Sequence, residues 1–198
     1  MTTTHHPAVA HPPKVGDRAP ESDEIYFPNA KPILLVFLRH CGCPFAEKTF
    51  MNLTRFSLEH PEIKCIAVSH SSREATDKWV ILVGGEWETT ILIDESRALY
   101  RQWGLPESSS WLPAGGPLYL VHAYRLGKEE GIWGTGPIEG DVTGTRAQMG
   151  GAFAVDRGGV VKWAKVCTSA DDIPDFDQAL KALGPIDTGL AWHEVGLS

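Results

Sequence analysis

The chain lacks an excess of positive charge. Its 198 residues carry 18 Lys and Arg against 25 Asp and Glu, which gives a formal net charge of -7. Proteins that bind nucleic acids concentrate basic side chains in a patch or stripe, because neutralising phosphates drives that binding. No basic stripe occurs in this sequence, so we expect no nucleic-acid partner.

Long apolar runs are also missing. A helix that crosses a bilayer needs about 20 apolar residues, and the core run Ile33 to Leu38 has six. The N-terminus does not show a basic region followed by an apolar one, as a secretory signal does. We therefore expect no membrane association, a cytoplasmic location, a disordered leader over residues 1–13, one domain over 14–185 and a tail over 186–198.

Cysteine is scarce. The chain has four cysteines, at Cys41, Cys43, Cys65 and Cys167, too few for the disulfide framework of a small secreted protein. No second close pair of Cys or His joins Cys41 and Cys43 at the spacing of a structural zinc site. We expect free, catalytic or redox-active thiols, with no metal and no other cofactor.

The most informative stretch that is present runs from residue 33 to residue 59. Ile33 to Leu38 is an unbroken apolar run with the length of a buried strand. A tight Cys-Gly-Cys sequence follows, and helical periodicity begins at Pro44. Proline is favoured as the first residue of a helix, where its missing N–H costs nothing. The pattern therefore predicts Cys43 at the N-cap of a helix.

This position favours reactivity in a cysteine. The first N–H groups of a helix lack internal partners and carry the positive end of the helix dipole, so they stabilise a thiolate, the nucleophilic form. Arg39, at the end of the strand, adds a positive charge nearby. The alternative interpretation is that Cys43 is an inert small residue in a turn.

His40, next to this turn, has two interpretations. Imidazole titrates near neutral pH, so His40 is a candidate general base or cation beside Cys43. It is equally well interpreted as a polar residue at a strand end, because the sequence does not fix which face of the sheet it takes.

The rest of the chain alternates strands and helices. Strands are predicted over 63–69 and 90–94, each followed by a helix, at 72–82 and 96–103. An insertion over 105–149 contains one helix, at 117–127. A β-hairpin over 151–166, which turns at 156–159, and a helix over 174–183 end the domain. This order predicts an α/β fold with a central mixed sheet, helices on both faces and an insertion before the C-terminal β-hairpin.

Three runs of sequence resemble one protein family. The order of elements is thioredoxin-like, and Leu35 to Phe45, LVFLRHCGCPF, resembles the AhpC/TSA-like branch of the peroxiredoxins, including the peroxiredoxin-like 2 group. Residues 92–104, LIDESRALYRQWG, and 148–163, QMGGAFAVDRGGVVKW, resemble the same branch. The resemblance covers residues 14–185, apart from the middle of the insertion.

The resemblance implies a function. Cys43 matches the first cysteine of a Cys-x-x-Cys pair, and in peroxiredoxins that thiolate attacks a peroxide and becomes a sulfenic acid, which a second thiol resolves. The implied activity is that of an antioxidant thiol oxidoreductase that reduces a peroxide or a disulfide at the expense of a thiol reductant. Because dimers are common among proteins of this fold, we also expect a homodimer.

Three positions depart from the family pattern. Ala46 stands where the second cysteine of the pair is expected, His40 where a Thr or Ser orients the peroxide, and Gly150 where an Arg approaches the thiolate. Arg39 and Arg146 are the candidates to replace that arginine.

A bridge between Cys41 and Cys43 closes a strained small ring, so Cys41 is either a redox partner or a turn residue. Cys167 is the second candidate resolving thiol.

Three residues are candidate substrate contacts: Pro44, Trp111 and Arg146. Tryptophans in the insertion, such as Trp111 and Trp133, are as readily interpreted as packing residues.

Two further functions stay open. The insertion is able to build a pocket for non-redox chemistry on a small organic substrate. Alternatively, the chain is a non-catalytic binding module that uses a sheet edge, the insertion or the tail around Trp192, since a fold does not determine an activity.

Overall fold

A computed structural model describes residues 9–108, 116–136 and 144–186. Strands and helices alternate along these ranges in the predicted order. Their bounds are β1 (Ile33–Phe37), α1 (Pro44–Glu59), β2 (Lys64–Ser69), α2 (Arg73–Leu82), β3 (Thr89–Ile93), α3 (Ala98–Gln102), α4 (Gly116–Glu130), β4 (Gly151–Val155), β5 (Val161–Val166) and α5 (Phe176–Leu183).

The five strands form one mixed sheet in the order β3-β2-β1-β4-β5. β1 pairs with β2, and β2 with β3, in parallel, whereas β1–β4 and β4–β5 are antiparallel. All five residues of β1 are buried, because helices cover both faces of the central strand. The prediction of a central mixed sheet that ends in a β-hairpin is confirmed.

Alternate side chains of β1 enter two separate cores. Leu34 and Val36 pack with residues of α1, α2 and α5 on one face. Leu35 and Phe37 pack on the other face with Tyr100 of α3 and with the N-terminal segment. The helices therefore cover both faces of the sheet, as predicted, and β1 places the turn that follows it between the two layers.

Two helices begin later than the sequence pattern predicts, because capping side chains set their starts. α3 begins at Ala98, since the Asp94 carboxylate accepts the N–H groups of Ala98 and Leu99 at 2.9 and 2.8 Å. α5 begins at Phe176, since the Asp175 carboxylate accepts the Asp177 N–H at 3.0 Å. α4 extends beyond its predicted end to Glu130.

Part of the predicted disordered leader packs on the domain. The Ala10 N–H donates to the Arg101 carbonyl at 2.9 Å. A Cβ on Gly104 would lie 2.3 Å from the Pro12 nitrogen, so the leader passes directly over the end of α3. Residues 10–12, within the leader that the sequence analysis expects to be disordered, therefore contact Arg101 of α3 and Gly104 just after it. Residues 1–8 and 187–198 lie outside the described ranges.

Across the described ranges, every helix is too short or too polar to cross a bilayer.

Candidate active site

Cys43 occupies the N-cap of α1, as the sequence predicts. Its backbone is extended, with φ -79° and ψ 125°, and its carbonyl accepts the Glu47 N–H at 3.0 Å. The Cys43 side chain makes no capping hydrogen bond within α1. The thiol therefore lies at the positive end of the helix dipole and is left to interact with other elements. Only 1 % of the residue is exposed.

The Cys-Gly-Cys turn is anchored at the carboxyl ends of β1 and β2. The Tyr100 hydroxyl lies 2.7 Å from the carbonyl oxygens of both Leu38, which follows β1, and Val68, the last but one residue of β2. The Cys41 N–H donates to the Ser71 Oγ at 3.1 Å. Two buried hydroxyl groups thus fix where β1 ends and the turn begins.

The segment that follows α4 lies directly against this turn. Gly42 has a φ of +87°, and a Cβ there would lie 2.1 Å from the Gly136 carbonyl oxygen. A Cβ on Gly134 would lie 2.8 Å from the Gly42 carbonyl oxygen and 3.0 Å from Pro44 Cδ. The close backbone contact requires glycine on both sides, and it covers the turn that carries Cys43.

Tyr119, on α4, packs against the start of α1. Burial, followed by the charge of Cys43, raises the pKa of Tyr119 to about 12. A tyrosine with this pKa is protonated at neutral pH. The Tyr119 ring also packs edge-on against Phe45, with 5.3 Å between centroids.

Two ion pairs fasten α4 in this position. Lys48 of α1 pairs with Glu130 at the end of α4. His122, one turn after Tyr119, pairs with Asp171, which lies between β5 and α5. α4 is thereby tied both to the helix that carries Cys43 and to the other side of the site.

Arg39 is the buried cation of the site. It is 8 % exposed, and its guanidinium donates to the Arg146 carbonyl at 3.0 Å and approaches the Met149 Sδ at 3.3 Å. Within the described part of the chain, its buried Nε has no hydrogen-bond partner. The charges of Arg39 and Arg146 both lower the pKa of Tyr119.

His40 lies at the same strand end but is not a cation near neutral pH. Burial, together with the positive charges of Arg39 and Arg146, lowers its pKa to about 4. Its Nδ1 lies 2.9 Å from the Cys41 carbonyl oxygen, so in the neutral ring Nδ1 carries the proton. We therefore expect His40 to be neutral near neutral pH, because the imidazole is desolvated beside two arginines.

Cys41 faces away from α4. Its Sγ lies 3.9 Å from the Ser69 Oγ and 3.8 Å from the Thr76 Oγ1, on β2 and α2. It is 2 % exposed, and burial raises its pKa. The thiols of the Cys-Gly-Cys turn thus contact different elements, and Cys41 is surrounded by hydroxyl groups rather than arginines.

Cys167 lies across a small cavity from the start of α1. The cavity has about 20 Å³, room for one water-sized molecule, and its lining includes Arg39, Phe45, Ala46, Gly150 and Cys167. Burial, and then the charge of Asp172, raises the pKa of Cys167 to about 12. Cys65 is buried within β2, and burial raises its pKa to about 12 as well.

The candidate substrate contacts lie in different settings. Pro44 is buried at the first position of α1, beneath Gly134. Arg146 is exposed, and Trp111 lies outside the described residues. Trp133 is 60 % exposed and packs against Tyr124, with 6.1 Å between ring centroids. A search of the described residues found no group of three His, Cys, Asp or Glu side chains able to hold a metal ion.

Residues 51–168 match the family described as AhpC/TSA antioxidant enzyme. The chain belongs to this family. The match begins after Cys43, so it rests on the scaffold from α1 to the end of β5. A search of curated proteins found no match.

Solved structures of the thioredoxin-like fold are similar to the chain at low sequence identity. A peroxiredoxin-like protein from Aquifex aeolicus is 14 % identical with a TM-score of 0.56, and the alignment covers 88 % of each chain. A thiol peroxidase from Chromobacterium violaceum is 16 % identical, with a TM-score of 0.54 and 89 % of each chain covered. A DsbE thiol:disulfide interchange protein from Chlorobium tepidum is 17 % identical, with a TM-score of 0.53, and the alignment covers 87 % of this chain and 99 % of that one.

The departure from the AhpC/TSA pattern at Gly150 has a structural counterpart. β1 and β4 are neighbours, with Phe37 opposite Gly151, so Arg39 runs beside the start of β4. A Cβ on Gly150 would lie 3.8 Å from the Arg39 Cγ and 2.8 Å from the Phe37 carbonyl oxygen. The buried Arg39 therefore lies next to Gly150, at the end of β1.

Tyr119 is the site residue that sequence reasoning missed. The pattern predicts the helix that carries it, but no local signal connects that helix to Cys43. The family pattern does not help either, because α4 belongs to the insertion. The only usable sequence signal is a tyrosine on the inner face of an amphipathic helix, and that pattern more often marks a core position.

Proposed function

We propose that this chain is a thiol-dependent peroxidase in which Cys43 reduces a peroxide. One observation carries the proposal: the buried Cys43 lies at the N-cap of α1, and the buried cation Arg39 lies at the end of the preceding strand. A helix N-terminus and positive charge both favour a thiolate over a thiol. Membership in the AhpC/TSA family supports the same chemistry.

The proposed reaction has two half-reactions. The Cys43 thiolate attacks one peroxide oxygen; the S–O bond forms, the O–O bond breaks, and the leaving oxygen takes a proton to become water or an alcohol. Cys43 is then a sulfenic acid. Two equivalents of a thiol reductant return it to the thiol, and they form a disulfide and water.

A peroxide is favoured over a disulfide as the substrate. Disulfide exchange passes through a mixed disulfide, which a second nearby thiol releases. Ala46, which is 2 % exposed, occupies the position expected for that thiol, and Cys41 turns its sulfur toward β2 and α2. The reaction with a peroxide needs only one nucleophilic cysteine for its first step.

Access to Cys43 requires movement of its cover. The residue is 1 % exposed, beneath α4 and the segment 131–136. We propose that the substrate enters when this cover moves away, and that a thiol reductant uses the same opening. The four free cysteines fit a reducing compartment such as the cytoplasm.

The test is oxidation of the reduced protein by one equivalent of hydrogen peroxide, followed by intact mass. We expect a rapid gain of one oxygen or loss of two hydrogens, with the modified residue assigned to Cys43 by peptide mapping. Cys43→Ser should abolish the rapid change, whereas the matched variant Cys41→Ser should keep it. An unchanged mass in the wild type over many minutes would exclude the proposed peroxidase activity.

A further inference from the structure

A small cavity separates the first turn of α1 from Cys167. Its volume of about 20 Å³ is room for one water-sized molecule. Phe45 and Ala46 of α1 line it together with Cys167, which follows β5. Arg39 lines it as well; this side chain is 8 % exposed, and among the described residues its buried Nε has no hydrogen-bond partner. The cavity therefore joins a thiol and a buried cation to the helix that Cys43 begins.

The register of the sheet fixes where Cys167 lies. Gly151 of β4 pairs with Phe37, the last residue of β1, and with Val166, the last residue of β5. Neighbouring strands lie about 4.8 Å apart, so the backbone of β5 lies about 10 Å across the sheet from the end of β1. Cys167 is the next residue of the chain, and it packs with Cys43 in the core on the α1 face of the sheet.

The Cys43 side chain is not fixed within its own helix. It makes no capping hydrogen bond, although Cys43 is the N-cap of α1. The side chain of an N-cap residue normally reaches toward the second or third residue of the helix, and the third residue here is Ala46, which lines the cavity. The short side chain of Ala46 leaves room for the two sulfurs to approach each other once the first turn of α1 loosens.

The other two thiols are less well placed to react with Cys43. The Cys41 Sγ lies 3.9 Å and 3.8 Å from hydroxyl groups of β2 and α2, and a bridge to Cys43 would close a strained ring. Cys65 pairs with Leu34, three residues before the end of β1, so it lies about 10 Å along the strand from that end. Of the four cysteines, Cys167 is the one that lines the cavity beside the first turn of α1.

We propose that Cys167 is the resolving thiol, which forms a disulfide with Cys43 inside one chain after a peroxide has oxidised Cys43. This proposal rests on the proposed function and deepens it. The Cys167 sulfur attacks the sulfur of the Cys43 sulfenic acid; the S–S bond forms, the S–O bond breaks, and the Cys167 proton leaves with the hydroxide as water. Two equivalents of a thiol reductant then return both cysteines to thiols and become a disulfide themselves.

The cavity suits the product of this step. It has room for the water that leaves, and the unpartnered Arg39 Nε is a donor for the departing oxygen. It has no room for a peptide attached to Cys43, so the pairing with Cys167 favours a sulfenic acid over a mixed disulfide with another protein. Burial, and then the charge of Asp172, raises the pKa of Cys167 to about 12, so we expect resolution to be slower than oxidation.

The test is oxidation of the reduced protein by one equivalent of hydrogen peroxide, followed by peptide mapping without a reductant. We expect the gain of one oxygen at Cys43 first, and then a linked Cys43–Cys167 peptide with the loss of two hydrogens. Cys167→Ser should lose the linked peptide completely and keep the sulfenic acid, which dimedone traps. Cys167→Ala, which adds no hydroxyl to the core, should behave in the same way.

Cys65→Ser is the matched control. Cys65 is also a free, buried cysteine, and burial raises its pKa to about 12 as well. This variant should form the Cys43–Cys167 link as fast as the wild type does. Loss of the link in Cys65→Ser as well as in Cys167→Ser would mean that a disturbed core, and not a missing resolving thiol, prevents the link, which would overturn the proposal.

Two oxidants separate this proposal from the proposed function. A wild-type sulfenic acid that never becomes a disulfide, or a link from Cys43 to Cys41 or to a second chain, would overturn the role of Cys167 and leave the peroxidase activity standing. Hypochlorous acid oxidises a thiol without a peroxide, to a sulfenyl chloride that a neighbouring thiol displaces. If only hypochlorous acid produces the Cys43–Cys167 link, the peroxidase activity is wrong and the pairing stands. If neither oxidant produces it, the pairing is wrong.

Discussion

The two thiols of the Cys-Gly-Cys turn have similar burial and different surroundings. Cys41 is 2 % exposed and Cys43 1 %. Cys41 contacts the hydroxyl groups of Ser69 and Thr76, whereas Cys43 is the N-cap of α1 and lies beneath the segment that follows α4. The comparison teaches that equal burial does not give two cysteines the same environment. Each cysteine takes its neighbours from the element that it faces.

Gly42 lies between the two cysteines, and its replacement should have the largest effect on the free energy of unfolding and on the alkylation of Cys43. In Gly42→Ala, the positive φ becomes strained and the new Cβ collides with the Gly136 carbonyl. We expect a loss of about 3 kcal/mol in the free energy of unfolding, measured with urea, together with faster alkylation of Cys43 as the cover moves off.

Gly131→Ala is the matched control. Gly131 also has a positive φ, of +73°, but a Cβ there would meet no atom within 4 Å. This variant should lose about 1 kcal/mol from backbone strain alone. Equal losses in the two variants would show that the contact between the turn and the segment after α4 contributes nothing to the free energy of unfolding.

Two largely buried histidines near Cys41, His40 and His70, should make the stability of the protein decrease as the pH falls. Burial lowers the pKa of His40 to about 4 and that of His70 to about 3. The unfolded chain protonates each histidine below about pH 6.5, whereas the folded chain keeps both neutral to lower pH. Their contribution to stability is therefore fully present above about pH 6.5 and is lost as the pH falls toward 4.

This prediction is checked by urea unfolding between pH 4.5 and pH 7.5. Each of these histidines should lower the free energy of unfolding by about 1.4 kcal/mol per pH unit in the lower part of the window. His40→Gln should remove about half of that combined slope. A slope unchanged by His40→Gln would mean that the imidazole is solvated in the folded protein.

Removal of the Lys48–Glu130 ion pair, which joins α1 to α4, should have the smallest effect. Lys48 and Glu130 are 22 % and 42 % exposed, and partly exposed pairs contribute at most about 1 kcal/mol. Lys48→Met should loosen α4 and raise the alkylation rate of Cys43 by no more than about fivefold. The control, Lys78→Met, removes the exposed pair with Glu74 on α2 and should leave that rate unchanged.

Local sequence determined the frame of the site. The apolar run of β1, the proline that starts α1 and the capping position of Cys43 follow from preferences that act over a few residues. The order of strands and helices, with the hairpin after the insertion, likewise follows from local periodicity and turn residues. The fold was therefore predictable from the amino-acid sequence.

Tertiary structure alone decided which groups surround the sulfur. Arg39 lies beside Gly150 because β1 and β4 pair, and the Tyr119 ring contacts Phe45 because α4 packs on α1. The same packing turns Cys41 toward β2 and desolvates His40. These contacts join residues far apart in the chain, and no local preference specifies them. The proposed nucleophile and a candidate cation, Arg39, were therefore visible in the sequence, whereas the packing of α4 and β4 around them emerged only when the chain was folded.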